Sequence, residues 1–262
     1  MPHLQRLIGS ATGITWAMFT ALAETAGASL VEFRGFHVYN GQGAPAMRDP
    51  GPFRHLTALR TLQWDADIAF PAGPDATLRG ALPALEAVEV RHTQFYPLLA
   101  QMELPHLQRM VGYHAETDAF LAVHGAKLRA ADVHTPDVGR LVARCPGLVS
   151  LEMDVWFNPH VTFDLRCPVA HHALAKFVVR KSPVQPKAAE EAEWERFFLL
   201  IDPALYPALR EIQIAQCVWP TSEHAIAQSM WVKWAERMRC HDIKVTDAAG
   251  AYWRPRLKGS RR

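Results

Sequence analysis

Apolar residues return along this chain in a fixed short figure. Counted from the residue that precedes several of the prolines, apolar side chains stand at offsets 0, 3, 6 and 8, with polar residues between. The figure begins at Met1, Leu30, Leu56, Leu82, Leu104, Gly125, Cys145, His171, Tyr206 and, in degenerate form, Arg237. Its mean period is about 26 residues, inside the range of stacked short repeats. In a chain that is 49 % apolar, four such positions match often by chance, so the identities carry the argument. Offset 3 is leucine in eight of ten repeats: Leu4, Leu59, Leu85, Leu107, Leu128, Leu148, Leu174 and Leu209. Offset 1 is proline in five: Pro2, Pro83, Pro105, Pro146 and Pro207.

Alternation across offsets 6 and 8 (Leu62/Trp64, Val88/Val90, Leu151/Met153, Phe177/Val179, Ile212/Ile214) predicts a short strand with one buried face in each repeat. Proline at the approach to a strand breaks no ladder bond. Helices are predicted over 14–26, 137–144, 188–201 and 223–238, with Gly27 and Gly125 as stop signals. Asp247-Ala-Ala-Gly250 reads as a closing turn. One strand–turn–helix unit buries its apolar face only against its neighbours, so the units must stack. The expectation is an α/β solenoid of about ten irregular repeats, arc-shaped, with a parallel sheet on the concave face and helices on the convex face. A single domain is expected over residues 1–253, followed by a flexible basic tail at 254–262. The eight tryptophans are expected in core and cap.

Composition narrows the classes. The chain has 262 residues and a formal net charge of +2, with Arg254, Arg256, Lys258, Arg261 and Arg262 crowded at its end. No run of about 18 apolar residues exists, and the first residues lack a secretory layout, so a soluble cytoplasmic or nuclear protein is expected. Cys145, Cys167, Cys217 and Cys240 are too far apart for a zinc motif and read as packed, reduced thiols. No aromatic-plus-basic platform points to nucleic acid.

The segments Leu82-Pro-x-Leu-x-x-Val-x-Val, Cys145-Pro-x-Leu-x-x-Leu-x-Met and Tyr206-Pro-x-Leu-x-x-Ile-x-Ile resemble irregular leucine-rich repeats. They are most similar to those of fungal F-box/leucine-rich-repeat proteins. The resemblance implies substrate recognition for a cullin-type ubiquitin ligase, whose adaptor is docked by an F-box near the N-terminus. This chain starts on a repeat strand, and is expected to be a fragment of such a protein or a stand-alone repeat protein. An unprotected first strand, Met1–Gly9, is expected either to follow a missing segment or to pair with another chain.

In that frame, offsets 5, 7 and 9 project onto the concave face. They include His37, Tyr39, Gln63, Asp65, Glu89, Arg91, Arg109, Tyr113, Asp132, His134, Glu152, Asp154, Lys176 and Arg180. An acidic centre (Asp132, Glu152, Asp154) stands one repeat from a basic strip (Lys176, Arg180), and the tyrosines add interface anchors. The stripe is expected to bind a protein or peptide partner, with charge setting specificity. Sequences of the types G-x-S-x-G, H-E-x-x-H and Walker A are absent, so no catalytic residue is assigned and no cofactor or metal is expected. Asp65-Ala-Asp67 reads as acids that end a strand. The alternatives are an inhibitor that embraces its partner, and a metal-assisted enzyme using Asp132, His134, Glu152 and Asp154.

Overall fold

The computed structural model describes residues 3–41, 47–71, 73, 75–112, 117–134, 138–155, 165, 167–181 and 187–254. Two compact units divide the chain: Met1–His134 with Arg144–Leu148, and Thr135–Ala143 with Val149–Arg262.

The first unit contains β1 (Arg6–Thr15), α1 (Trp16–Ala26), β2 (Glu32–Tyr39), β3 (Thr61–Ala66), β4 (Ala87–Val90), α2 (Tyr96–Leu99), β5 (Arg109–Val111), α3 (Asp118–His124) and β6 (Ala130–Val133). Each strand pairs in parallel with the next in chain order. Sequential parallel pairing requires every connection to return the chain to the same end of the sheet. α1 and α3 make that return in two repeats, whereas after β2 and β3 the described connections carry 3-10 turns at Gly51–His55 and Ala76–Leu78. Pro52 sits at the start of the first of these, where its absent N–H breaks no helical bond.

The chain enters β2 through β6 by the same pair of bonds. The Gln5 carbonyl accepts the N–H groups of Val31 and Glu32, and the Val31 carbonyl accepts those of Arg60 and Thr61. Arg60, Glu86 and Gln108 repeat the arrangement toward the following strands. Behind it, Leu30, Leu59, Leu85, Leu107, Leu128 and Leu148 are all fully buried. An aromatic group fills the early repeats: Trp64 stacks on Phe95 at 4.8 Å and meets Phe53 edge-on at 5.1 Å, with Phe19 and Trp16 beside them.

Two registers differ from the sequence frame. Leu7 pairs with Phe33, and Phe33 with Leu62, so the second repeat begins at Gly27 and Leu30, not Phe33, fills the leucine position. Val245 pairs with Ile212, so the last repeat begins at Arg239 and not at Arg237. Apolar spacing favours the sequence frame in both places, since the observed frames put Gly35 and Asp247 at offset 8, and Leu30 and Phe33 are equally buried; the strand pairing alone sets the register.

The second unit contains α4 (Gly139–Arg144, its last residue in the first unit), β7 (Ser150–Val155), β8 (Lys176–Lys181), α5 (Lys187–Leu200), β9 (Glu211–Ile214), α6 (Glu223–Gln228), α7 (Met230–Arg239) and β10 (Lys244–Thr246). Its strands are parallel and sequential as well, with Leu174 and Leu209 fully buried. The predicted helix at 223–238 is two helices, because Ser229 leaves helical geometry and caps α7 with its hydroxyl on the Val232 N–H. The predicted closing turn forms: Asp247 Oδ1 accepts from the Ala249 and Ala251 N–H groups, each at 2.9 Å.

Trp194 and Trp234 are core residues, the latter stacked on Phe198 at 4.8 Å. Burial pushes the thiols of Cys145 and Cys217 up to about 12, which leaves both unreactive. Cys167 is also buried and Cys240 is exposed. Arg254 lies over the Tyr252 ring at 4.6 Å, and the rest of the basic tail lies outside the described residues. No helix among the described residues is long and apolar enough to cross a membrane.

Candidate functional site

The face opposite the leucines carries the polar positions of each strand. In β4, β6 and β9 buried residues alternate with half-exposed ones. Parallel sheets in doubly wound proteins are covered on both faces and read as continuous apolar runs. Here one face of the strands is open.

On the first unit this face holds an ion-paired group on β1 and β2 and a linked polar network that runs from Gly35 to His92. Arg6 Nε donates to Glu32 Oε2 at 2.7 Å, and Arg34 Nη1 to Glu32 Oε1 at 3.3 Å. The Arg6 contact is the main reason that the Glu32 carboxyl lies below its ordinary range, against the opposing effect of burial. In the next row, Gln63 Oε1 accepts the Gly35 N–H at 2.7 Å and Gln63 Nε2 donates to Glu89 Oε1 at 2.8 Å. Gln63 is buried, so it organises the network and does not face solvent. Arg91 then links Glu89 (Nε–Oε1, 3.2 Å) to Asp65 (Nη1–Oδ2, 3.5 Å).

Asp65 is the hub. His37 Nδ1 and His92 Nε2 each lie 3.0 Å from its Oδ1. Burial works to raise the Asp65 carboxyl, but the bonds from His37 and His92, with help from Arg91, leave it below its ordinary value. The other nitrogen of each ring faces Asp67: His37 Nε2 lies 3.9 Å from Oδ2 and His92 Nδ1 3.5 Å from Oδ1.

This grouping depends on the corrected register. The sequence frame sets His37 level with Gln63, whereas His37 pairs with Asp65. The difference comes from the earlier start of the repeat and from a bulge between Phe33 and His37, where Gly35 has φ +74°. A Cβ on Gly35 would run into the carbonyl oxygen of Gly9 on β1, so only glycine fits there.

His92 is absent from the sequence-derived stripe because it follows β4, one residue beyond the outward row. The faint signal for it is its place directly after Arg91. Of the other assigned residues, Tyr39 ends β2 and is exposed, and Arg109 opens β5 and is exposed. Asp132 on β6 and the exposed His134 just after it belong to the first unit. Tyr113 lies outside the described residues.

On the second unit the predicted basic strip is paired, Arg180 with Glu152 of the predicted acidic centre and Lys176 with Glu211, which lies outside it. Arg180 Nη1 lies 2.7 Å from Glu152 Oε1, and Lys176 Nζ lies 3.0 Å from Glu211 Oε1. Asp154 stands opposite Arg180 in the strand register. The charges on this part of the face form a ladder across β7, β8 and β9.

No protein-family model matches this chain, and no curated protein matches it in sequence.

Proposed function

We propose that this chain is a leucine-rich-repeat recognition scaffold that binds a protein or peptide on the open face of its strands and performs no catalysis. The observation that carries this reading is the parallel sheet with one uncovered face. Exposed ion pairs on such a face contribute little to stability, about 0–1 kcal/mol each, so they are not what keeps it uncovered. It does present closely spaced, rigidly held polar side chains to another surface. Exposed Arg91, Arg109 and Tyr39 are of the residue types that dominate interface energetics. The resemblance to F-box/leucine-rich-repeat proteins supports a narrower form, in which the bound partner is the substrate of a cullin-type ubiquitin ligase.

The test is affinity capture from a lysate of the source cells with the intact chain and with Arg91→Glu/Arg109→Glu. The expected result is a partner set retained by the first and lost from the second, at unchanged circular dichroism. Equal capture by both proteins overturns the reading for this face. Reconstitution of the recovered partner with the ligase adaptor then tests the narrower form.

A further inference from the structure

We propose that His37, Asp65 and His92 form a binding site for one divalent transition-metal ion of the zinc class. This inference stands independently of the recognition reading.

One donor atom from each residue lies within 4.8 Å of the others. Zinc bonds to nitrogen and carboxylate oxygen are about 2.0–2.1 Å, which makes the edge of a tetrahedral site about 3.3–3.4 Å. Both nitrogen–oxygen distances to Asp65 Oδ1, at 3.0 Å, are already close to that edge. The two imidazoles are partly exposed, with side-chain exposures of 37 % and 40 %, so each can turn toward a shared ion without disturbing packing. Strand order supplies the rest: β2, β3 and β4 are consecutive neighbours joined by two backbone ladders, with His37 and Asp65 on paired positions and His92 two residues past the end of β4.

The surroundings point to a metal beyond the ligands themselves. A histidine that binds a metal through one ring nitrogen carries its proton on the other, and that N–H is commonly oriented by a carboxylate. Here Asp67 faces the second nitrogen of both rings. As the rings stand, the protons toward Asp65 are on His37 Nδ1 and His92 Nε2; once an ion takes those nitrogens, Asp67 is near enough to accept from the opposite nitrogens after a small movement of its exposed side chain. Arg91 approaches Asp65 Oδ2 and leaves Oδ1 for the ion, which makes Asp65 a single-oxygen ligand. Two imidazoles and one carboxylate suit zinc, cobalt, nickel or iron(II), and are poorly matched to calcium or magnesium, which take oxygen ligands. Three protein ligands leave at least one position for water or for a donor from another molecule.

The experiment is equilibrium dialysis of the chelator-treated full chain against Zn²⁺ alone, followed by metal analysis. One equivalent for each chain is expected, with affinity lowered at least about tenfold by Asp65→Asn or His92→Gln. Asp67→Asn, which removes no ligand, is expected to lower it by about 10- to 100-fold. Circular dichroism and thermal melts of each variant monitor the fold. Paramagnetic Co²⁺ added to the unaltered chain provides a second reading, and is expected to shift the ring protons of His37 and His92 selectively among the 13 histidines. Absence of stoichiometric Zn²⁺ binding overturns the proposal. So does binding that survives Asp65→Asn and His92→Gln, or Co²⁺ shifts on other histidines instead.

Discussion

Gln63 holds the bulge of the neighbouring strand: its Oε1 accepts the N–H of Gly35 at 2.7 Å, across the β2–β3 pair. A bulge leaves a backbone donor outside the ladder, and a buried donor without a partner costs about 1–3 kcal/mol. The side-chain amide of Gln63 fills that gap and, through its other end, fixes Glu89. The bulge in turn sets His37 level with Asp65. Local backbone geometry and the composition of the site are therefore one feature.

Replacing this amide tests the dependence. Gln63→Leu keeps the bulk and removes the acceptor, and is expected to lower stability by about 1–3 kcal/mol in denaturant titrations. It is also expected to loosen His37, seen as a broadened or shifted imidazole resonance, while His92 keeps its contact with Asp65. A stability loss with an unmoved His37 signal would separate the bulge from the site.

The leucine column makes a second prediction. Leu107 is fully buried behind the junction where Gln108 and Arg109 donate to the Glu86 carbonyl. Leu107→Ala leaves a cavity between repeats and is expected to cost about 2–5 kcal/mol. The exposed neighbour His106 serves as the control, and His106→Ala is expected to stay within about 0.5 kcal/mol of the unaltered chain. Equal effects of the two substitutions would mean that the column does not hold adjacent repeats together.

Much of this architecture is legible in the residues, and the failures have physical causes. Leucine at offset 3 identifies the buried column because an interior site between stacked repeats selects a particular shape. Alternation alone is weaker evidence. Phe33, Phe36 and Val38 are all buried, so the apolar pattern along β2 favours the sequence frame over the observed one. The bond from Gly35 to Gln63, invisible in the sequence, goes with the bulge that shifts the lower part of β2. The alternation sets Asp65 and His37 both on the outward face, but in different rows, and leaves His92 outside it altogether. A cluster drawn from three repeats is readable only after the register is known to one residue. Ser229 illustrates the opposite limit: a single cap residue splits a helix whose apolar pattern runs on.

His124 provides a dependence on pH. It is fully buried at the end of α3, with Nε2 3.0 Å from the Leu99 carbonyl and Nδ1 3.2 Å from Lys127 Nζ. The first contact requires a proton on Nε2, and the ammonium of Lys127 requires a lone pair on Nδ1, so the ring is neutral. Burial pushes its pKa from 6.5 down to about 4, with the Lys127 charge adding to the effect and the Leu99 contact opposing it. In the unfolded chain the same ring takes up a proton near its ordinary value. Between those two values the unfolded state binds more protons, so acid favours unfolding. The stability that this group contributes is complete above pH 6.5 and is lost progressively as pH falls toward about 4. A shift of that size corresponds to about 3 kcal/mol. His124→Gln can keep a donor toward Leu99 and an acceptor toward Lys127 without titrating. Denaturant midpoints measured from neutral pH down to about pH 4 are expected to fall less steeply for the variant than for the unaltered chain. Parallel slopes would show that His124 is not the group that couples this fold to acid.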